Sequence, residues 1–157
     1  MKKVLFFTLV PIALILGSII FAIWVSYGYV QYQNDTYFHV MGAMEDERAV
    51  AEYNGTTTMI SGGNLRKINN LLTPSELKRR FVHPDFNEDE CIRLSFPDGA
   101  EYLVMRNEDT EDGVHIRYTY QKKKQYYRVE GYKTFEWLQK AISPEGIYGE
   151  NEPAENG

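Results

Sequence analysis

From Val4 to Val25 the chain carries twenty-two consecutive residues without a charge, directly behind Met1-Lys2-Lys3. At about 1.5 Å rise per residue, such a run makes a helix of roughly 33 Å, enough for a bilayer hydrocarbon core of about 30 Å. Its length separates two readings. A secretory signal has an apolar region of about 7–15 residues that ends in a small-x-small cleavage pattern. Here the run is longer, and the nearest such pattern, Ser26-Tyr27-Gly28, has a bulky tyrosine at its centre. Residues 1–29 are therefore expected to be a retained signal anchor with a short Lys-Lys stub, rather than a peptide cleaved near Gly28. The single cysteine, Cys91, lies far from the run, which argues against lipid attachment behind it.

Charge sets the expected orientation. Lys2 and Lys3 flank one end of the span, whereas the first basic residue beyond the other end is Arg48. Positive flanks stay cytoplasmic, so the expectation is a single-pass protein of the cell membrane with its N-terminus inside and its C-terminal domain extracytoplasmic. Trp24, Tyr27, Tyr29 and Tyr32 cluster where the outer headgroups would lie, as amphipathic rings prefer. Pro11 is tolerated in a membrane helix. Gly17-Ser18 permits close helix approach, but small residues are ordinary in spans.

Beyond the anchor, the chain is rich in tyrosine and β-branched residues, which favours sheet. A formal net charge of −5 argues against nucleic acid as a partner. One cysteine makes no internal disulfide, so an outward-facing domain must rely on its core, a pattern that suits a bacterial envelope protein. Asn34-Asp35-Thr36 and Asn54-Gly55-Thr56 match a glycosylation triplet that also arises often by chance.

Residues 30–36 read as a short polar connector to a domain spanning 37–144. Tyr37 to Ala43 suggests a strand, although 37–53 fits strand or helix equally well on periodicity. Asn54-Gly55, between Arg48–Tyr53 and Thr56–Ile60, predicts a hairpin closed by a type I′ turn. Leu65, Ile68, Leu71 and Leu72 have helical spacing behind a capping Asn64. Thr73-Pro74-Ser75-Glu76 has the pattern of a second helix start, running to about Val82. From Cys91 onward apolar and polar residues alternate. Strands are expected from Ile92 to Phe96, Ala100 to Arg106, Val114 to Tyr120 and Gln125 to Glu130, with Gln121 to Lys124 as a polar turn. A last helix is expected from Lys133 to Ile142 with Thr134 as cap, followed by a flexible acidic tail at 145–157.

The fold class expected is α+β: an N-terminal transmembrane helix, then an antiparallel sheet of about five to seven strands packed on two or three helices gathered on one face. The helix, four-strand, helix order resembles that of TATA-binding-protein-like helix-on-sheet modules. Such a likeness of element order implies a layout and no function.

Residues 85–112 carry ten acids against Arg93 and Arg106, whereas 114–142 carry seven basic residues against Glu130 and Glu136. Adjacent blocks of opposite charge predict cross-strand pairing, or else a polarised docking surface. The candidate docking residues are tyrosines taken to face solvent: Tyr118, Tyr120, Tyr126, Tyr127 and Tyr132, with an envelope protein as partner. The alternative is an anionic envelope polymer or lipid headgroup held by Lys122, Lys123, Lys124 and Arg128. His83 with Asp85, Glu88, Asp89, Glu90 and Cys91 offers metal-binding atoms at no recognisable spacing. Asn107 to Gly113 departs from a calcium loop, because glycine is seventh rather than sixth and Tyr118 stands where a glutamate is needed. Cys91 has His83 and His115 as candidate bases but sits beside three acids that would raise its pKa. His39 and His115 are expected to face solvent. Neither a metal, a cofactor nor catalysis is expected.

Overall fold

The computed structural model describes residues 2–46, 49–60, 62–81, 84–107, 110, 113–130 and 133–143. Helix α1 spans Lys2–Asp46, with Pro11 inside it. Its apolar stretch has a mean hydropathy of 2.2 over eighteen residues, none of them buried, and by length and composition it can cross a membrane. Leu14, Ile20 and Ile23 are each more than 60% exposed, as either a membrane anchor or a signal sequence would leave them. Two compact units divide the chain, Met1–Asn34 and Asp35–Gly157.

The end of α1 corrects two expectations. The predicted connector at 30–36 and the strand alternative from Tyr37 to Ala43 are both helical. Thr36, His39, Val40 and Ala43 are buried and fall at i, i+3, i+4 and i+7, a single helical face. Tyr37 and Phe38, whose rings suggested sheet, point away from that face at 51% and 69% exposure.

The second unit is α+β, built on one seven-stranded antiparallel sheet in the order β2-β1-β4-β5-β6-β7-β3. The strands are β1 (Val50–Tyr53), β2 (Thr56–Met59), β3 (Lys78–Arg80), β4 (Ile92–Ser95), β5 (Glu101–Arg106), β6 (Val114–Tyr120) and β7 (Lys123–Val129). Helix α2 is Gly62–Leu72, helix α3 is Thr134–Ile142, and a 3-10 turn occupies Glu88–Glu90. The β1–β2 turn has Asn54 and Gly55 at φ of 50° and 71°, as a type I′ turn requires. Asn64 is a buried residue within α2 rather than its cap, and α3 begins at Thr134 with Lys133 in the cap position.

The second helix predicted at Thr73 does not form. Thr73 caps the end of α2 instead: its backbone N–H and its hydroxyl both donate to Asn69 O, at 3.0 and 2.8 Å. Pro74 then opens a turn closed by Leu77 N–H donating to Pro74 O, and the chain enters β3. Pairing of Arg79 with Tyr127 makes β3 the edge strand beyond β7.

Register divides the sheet into two faces. Leu94 pairs with Tyr102, Tyr102 with Tyr118, and Ile116 with Tyr127. These side chains, with Ile92, Val104, Val114 and Val129, form the buried face. The end of α1 fastens to it through Tyr102 Oη–H, which donates to Thr36 Oγ1 at 2.9 Å. From α3, Phe135 meets Tyr53 edge-on and lies under the Arg106 guanidinium. Each large apolar side chain buried here contributes about 1.5–3 kcal/mol, whereas an exposed ion pair contributes about 0–1 kcal/mol. The helix-covered face therefore holds the fold, and the opposite face is free to carry charge.

Candidate functional site

Alternation along β6 and β7 decides where the candidate tyrosines go. Tyr118 lies on the buried face with Val114 and Ile116, and Tyr127 lies opposite Ile116. Both are buried, at 2% and 0% exposure, which corrects the expectation that they face solvent. Their hydroxyls are satisfied inside: Tyr118 Oη lies 2.8 Å from His39 Nε2, and Tyr127 Oη–H donates to Gln125 Oε1 at 2.5 Å. Burial pushes both phenol pKa values up. Tyr120 and Tyr126 are half-buried, and Tyr126 packs against Phe86 with ring centroids 6.1 Å apart. Tyr132 lies outside the described residues.

His39, expected at the surface, is 4% exposed and forms a buried hub. Its Nδ1 bonds the Asp98 carboxylate, which can only accept, and its Nε2 lies 2.8 Å from the Tyr118 hydroxyl. The His39 ring also meets Tyr120 edge-on at 4.7 Å, while Tyr102 and Tyr118 stack at 4.9 Å. Carboxylate, imidazole and hydroxyl in this order resemble a nucleophile relay. Tyr118 is too deeply buried to meet a substrate, so the chain of bonds fastens the end of α1, at His39, to the β4–β5 turn and β6.

The other histidine and the cysteine are also inside. His115, expected at the surface, is 9% exposed and lies 3.1 Å from Asn107 Oδ1. With Tyr53, Asp85, Glu90, Arg106 and Phe135 it lines an open cleft of about 600 Å³. Cys91 Sγ–H donates to Asn87 O at 3.1 Å, and burial pushes its thiol pKa up to about 11. The neighbouring acids contribute less than burial does, and the raised value leaves the thiol a poor nucleophile at neutral pH. His83 and residues 108, 109, 111 and 112 of the calcium-like loop lie outside the described residues.

On the outer face the two charge blocks meet. Glu88 accepts from Arg117 at 2.7 Å and from Arg93 at 2.8 Å. The bond from Arg117 holds the Glu88 carboxyl below its ordinary value. The Arg117 guanidinium also stands 5.5 Å from the Phe86 ring, so the segment 84–91 straps across the strands. Arg93 reaches towards Glu52 and Glu101 at 3.7 and 3.9 Å. Much of the charge contrast in the sequence is thereby used up internally.

A separate concentration of cations lies at one edge of the sheet. Residues 78–80 and 122–130 hold seven basic side chains against a single carboxylate, Glu130. Glu130 binds Lys78 at 2.9 Å and Arg128 at 3.1 Å, and Lys78 holds its carboxyl below the ordinary value. Arg128, a predicted anion contact, is thus drawn inward and largely covered. Arg80, Lys122, Lys123 and Lys124 are exposed. Arg80 pairs in register with Tyr126, two residues or about 7 Å along β7 from Lys124, and both point to the outer face. Phe81, next in the chain, is 52% exposed and lies 5.8 Å from the Arg79 guanidinium. Arg80 reaches this site only through strand pairing, because β3 forms where a helix is expected from Thr73 to about Val82.

The tip of this edge is unusual. Gln121 and Lys122 form the β6–β7 turn with φ of 48° and 65°. Two side-chain-bearing residues here occupy left-handed backbone, where the β1–β2 turn uses Asn54 and Gly55. Lys123 and Lys124 belong to β7 rather than to the turn. No protein family, known protein or solved structure matches this chain, and the likeness to TATA-binding-protein-like modules rests on element order alone.

Proposed function

We propose that the chain is a single-pass, membrane-anchored binding domain whose basic edge engages phosphate-bearing anions of a bacterial envelope, as lipid headgroups or as a free polymer. The observation that carries this reading is the concentration of seven cations against one carboxylate on β3, β7 and the turn before β7. The apolar part of α1 supplies the anchor. An extracytoplasmic domain follows from Lys2 and Lys3 on one side of the span, with no basic residue on the other until Arg48.

Two further features support it. Left-handed backbone at Gln121 and Lys122 costs about 1–2 kcal/mol per residue, a cost that makes sense where a lysine is needed at the tip. Phe81, exposed where the chain leaves β3 and set against the Arg79 guanidinium, adds an apolar contact of the kind that basic interfacial surfaces use. At about 1 kcal/mol per basic residue near an anionic surface, the four exposed cations supply about 4 kcal/mol, equivalent to a Kd of about 1 mM. Such weak affinity suits a tethered domain, whose ligand is held at high local concentration. Docking of an envelope protein through the tyrosines has less support, because Tyr118 and Tyr127 are buried.

The test uses the full-length chain in discs of zwitterionic lipid, mixed with vesicles containing anionic lipid or, separately, with inorganic polyphosphate. Binding that falls steeply with salt and is lost in Arg80→Gln/Lys122→Gln/Lys123→Gln/Lys124→Gln is expected. Capture by vesicles alone identifies headgroups, and capture by polyphosphate alone identifies a polymer. Binding equal to wild type in the quadruple variant overturns the proposal.

A further inference from the structure

The two edges of the sheet are built differently. β3 is only three residues long, Lys78-Arg79-Arg80, so a second copy laid against it meets its own charge. β2, at the opposite edge, reads Thr56-Thr57-Thr58-Met59 and lies in a run without a charge from Tyr53 to Leu65. It has no proline, lysine or bulge, the usual guards of an edge. Among the described residues no strand covers it.

Register shows which backbone groups it offers. The two-residue turn closes the Tyr53–Thr56 pair, and Ile60 N–H donates to Ala49 O at 2.9 Å. Thr56, Thr58 and Ile60 therefore turn their N–H and C=O groups towards β1, and Thr57 and Met59 turn theirs outward. This spacing is self-complementary. An antiparallel second copy with its two-fold axis at Thr58 pairs Thr57 with Met59 of the other copy, each pair exchanging two hydrogen bonds, and sets Thr58 against Thr58. Met59, 63% exposed, would then lie against a threonine methyl.

We infer that β2 is a homotypic docking edge, through which two copies of this chain join their sheets into one antiparallel sheet of fourteen strands. The absence of charge from Tyr53 to Leu65 is the reason that the occupant is a second copy. No like charges are opposed, and no charge awaits a partner of opposite sign. A four-residue edge buries much less than the roughly 1,200 Å² of a stable interface, so the pairing is weak in dilute solution and fills when copies share a membrane.

The experiment is oxidative crosslinking of the full-length chain in its membrane with Thr58→Cys, whose two copies would stand at a non-hydrogen-bonded pair with Cβ atoms about 4.5–5.5 Å apart, close to disulfide distance. Native Cys91 is buried and serves as the background. A disulfide-linked dimer is expected with Thr58→Cys, and at least tenfold less with Arg80→Cys on the opposite edge. Adding Thr57→Pro, which removes an outward N–H and leaves the β1–β2 ladder intact, should abolish the dimer. Thr57→Lys should do the same by charge, so the result does not depend on how one variant folds. Equal crosslinking at both edges, persistence of the dimer with Thr57→Lys, or a Thr58→Cys adduct with a different protein overturns the inference.

Discussion

Replacing Lys122 by glycine should make the protein more stable while weakening its basic edge. Lys122 sits at φ 65°, where a side chain costs about 1–2 kcal/mol and glycine costs nothing. Glycine also gives the unfolded chain more freedom, which subtracts about 0.5–1 kcal/mol. The net expectation is a gain of about 0.5–1 kcal/mol, or a rise of about 2–5 °C in Tm for a domain of this size. Lys122→Asn, which tolerates left-handed backbone, should give a smaller gain. Gly55→Ala, at φ 71° in the other hairpin, is the reverse experiment and should lose about 1 kcal/mol. Thermal or urea unfolding of the full-length chain in discs, followed by circular dichroism, reads all three. Binding to anionic vesicles or polyphosphate should fall about fivefold with Lys122→Gly, as expected for about 1 kcal/mol per cation. A Lys122→Gly protein that unfolds more readily than wild type would show that the turn carries no strain.

Three further outcomes follow from the interior. His39→Ala removes the imidazole that meets both the Tyr118 hydroxyl and the Asp98 carboxylate and should cost about 3 kcal/mol, and Tyr118→Phe about 1–2 kcal/mol; because the two share one bond, the double variant should cost less than their sum in an unfolding cycle. Cys91 has a thiol pKa of about 11 in the folded chain against an ordinary 9.0, so the unfolded state loses the proton first. Its contribution is full below pH 9 and disappears as the pH rises towards 11, and Cys91→Ser should flatten that part of the stability curve measured by urea titration. Gly113→Ala would put a Cβ 2.2 Å from Thr110 Oγ1 and 3.0 Å from Val129 O, and should destabilise by about 1–3 kcal/mol, with partial recovery on adding Thr110→Ala.

The sheet was legible where side chains alternate cleanly, as from Ile92 to Ser95 and from Val114 to Tyr120. The turn at Asn54-Gly55 was legible for a local reason, since those residues readily accept positive φ. At the end of α1, 30–36 read as a connector and 37–46 stayed open between strand and helix, because two of its four inward residues, Thr36 and His39, are polar and bond to Tyr102 and to Asp98 and Tyr118. Those partners are more than fifty residues away in sequence, and periodicity cannot register them. β3 was missed because Lys78-Arg79-Arg80 has no apolar alternation, and because Thr73 fits the start of one helix as well as the end of another. At the candidate site, Lys122 to Lys124 could be read directly. Arg80 joined them only through strand pairing, and tyrosine's dual character concealed the burial of Tyr118 and Tyr127.

The decisive comparison is the affinity of wild type and of Arg80→Gln/Lys122→Gln/Lys123→Gln/Lys124→Gln for anionic vesicles and for polyphosphate, both proteins full-length in zwitterionic discs at low salt. An anionic ligand held by the basic edge predicts a loss of about a thousandfold, as four cations at about 1 kcal/mol each require, which leaves no detectable binding in the variant, whereas wild-type binding weakens steeply with salt. Equal affinities and equal salt dependence would contradict it and place the binding surface elsewhere on the domain.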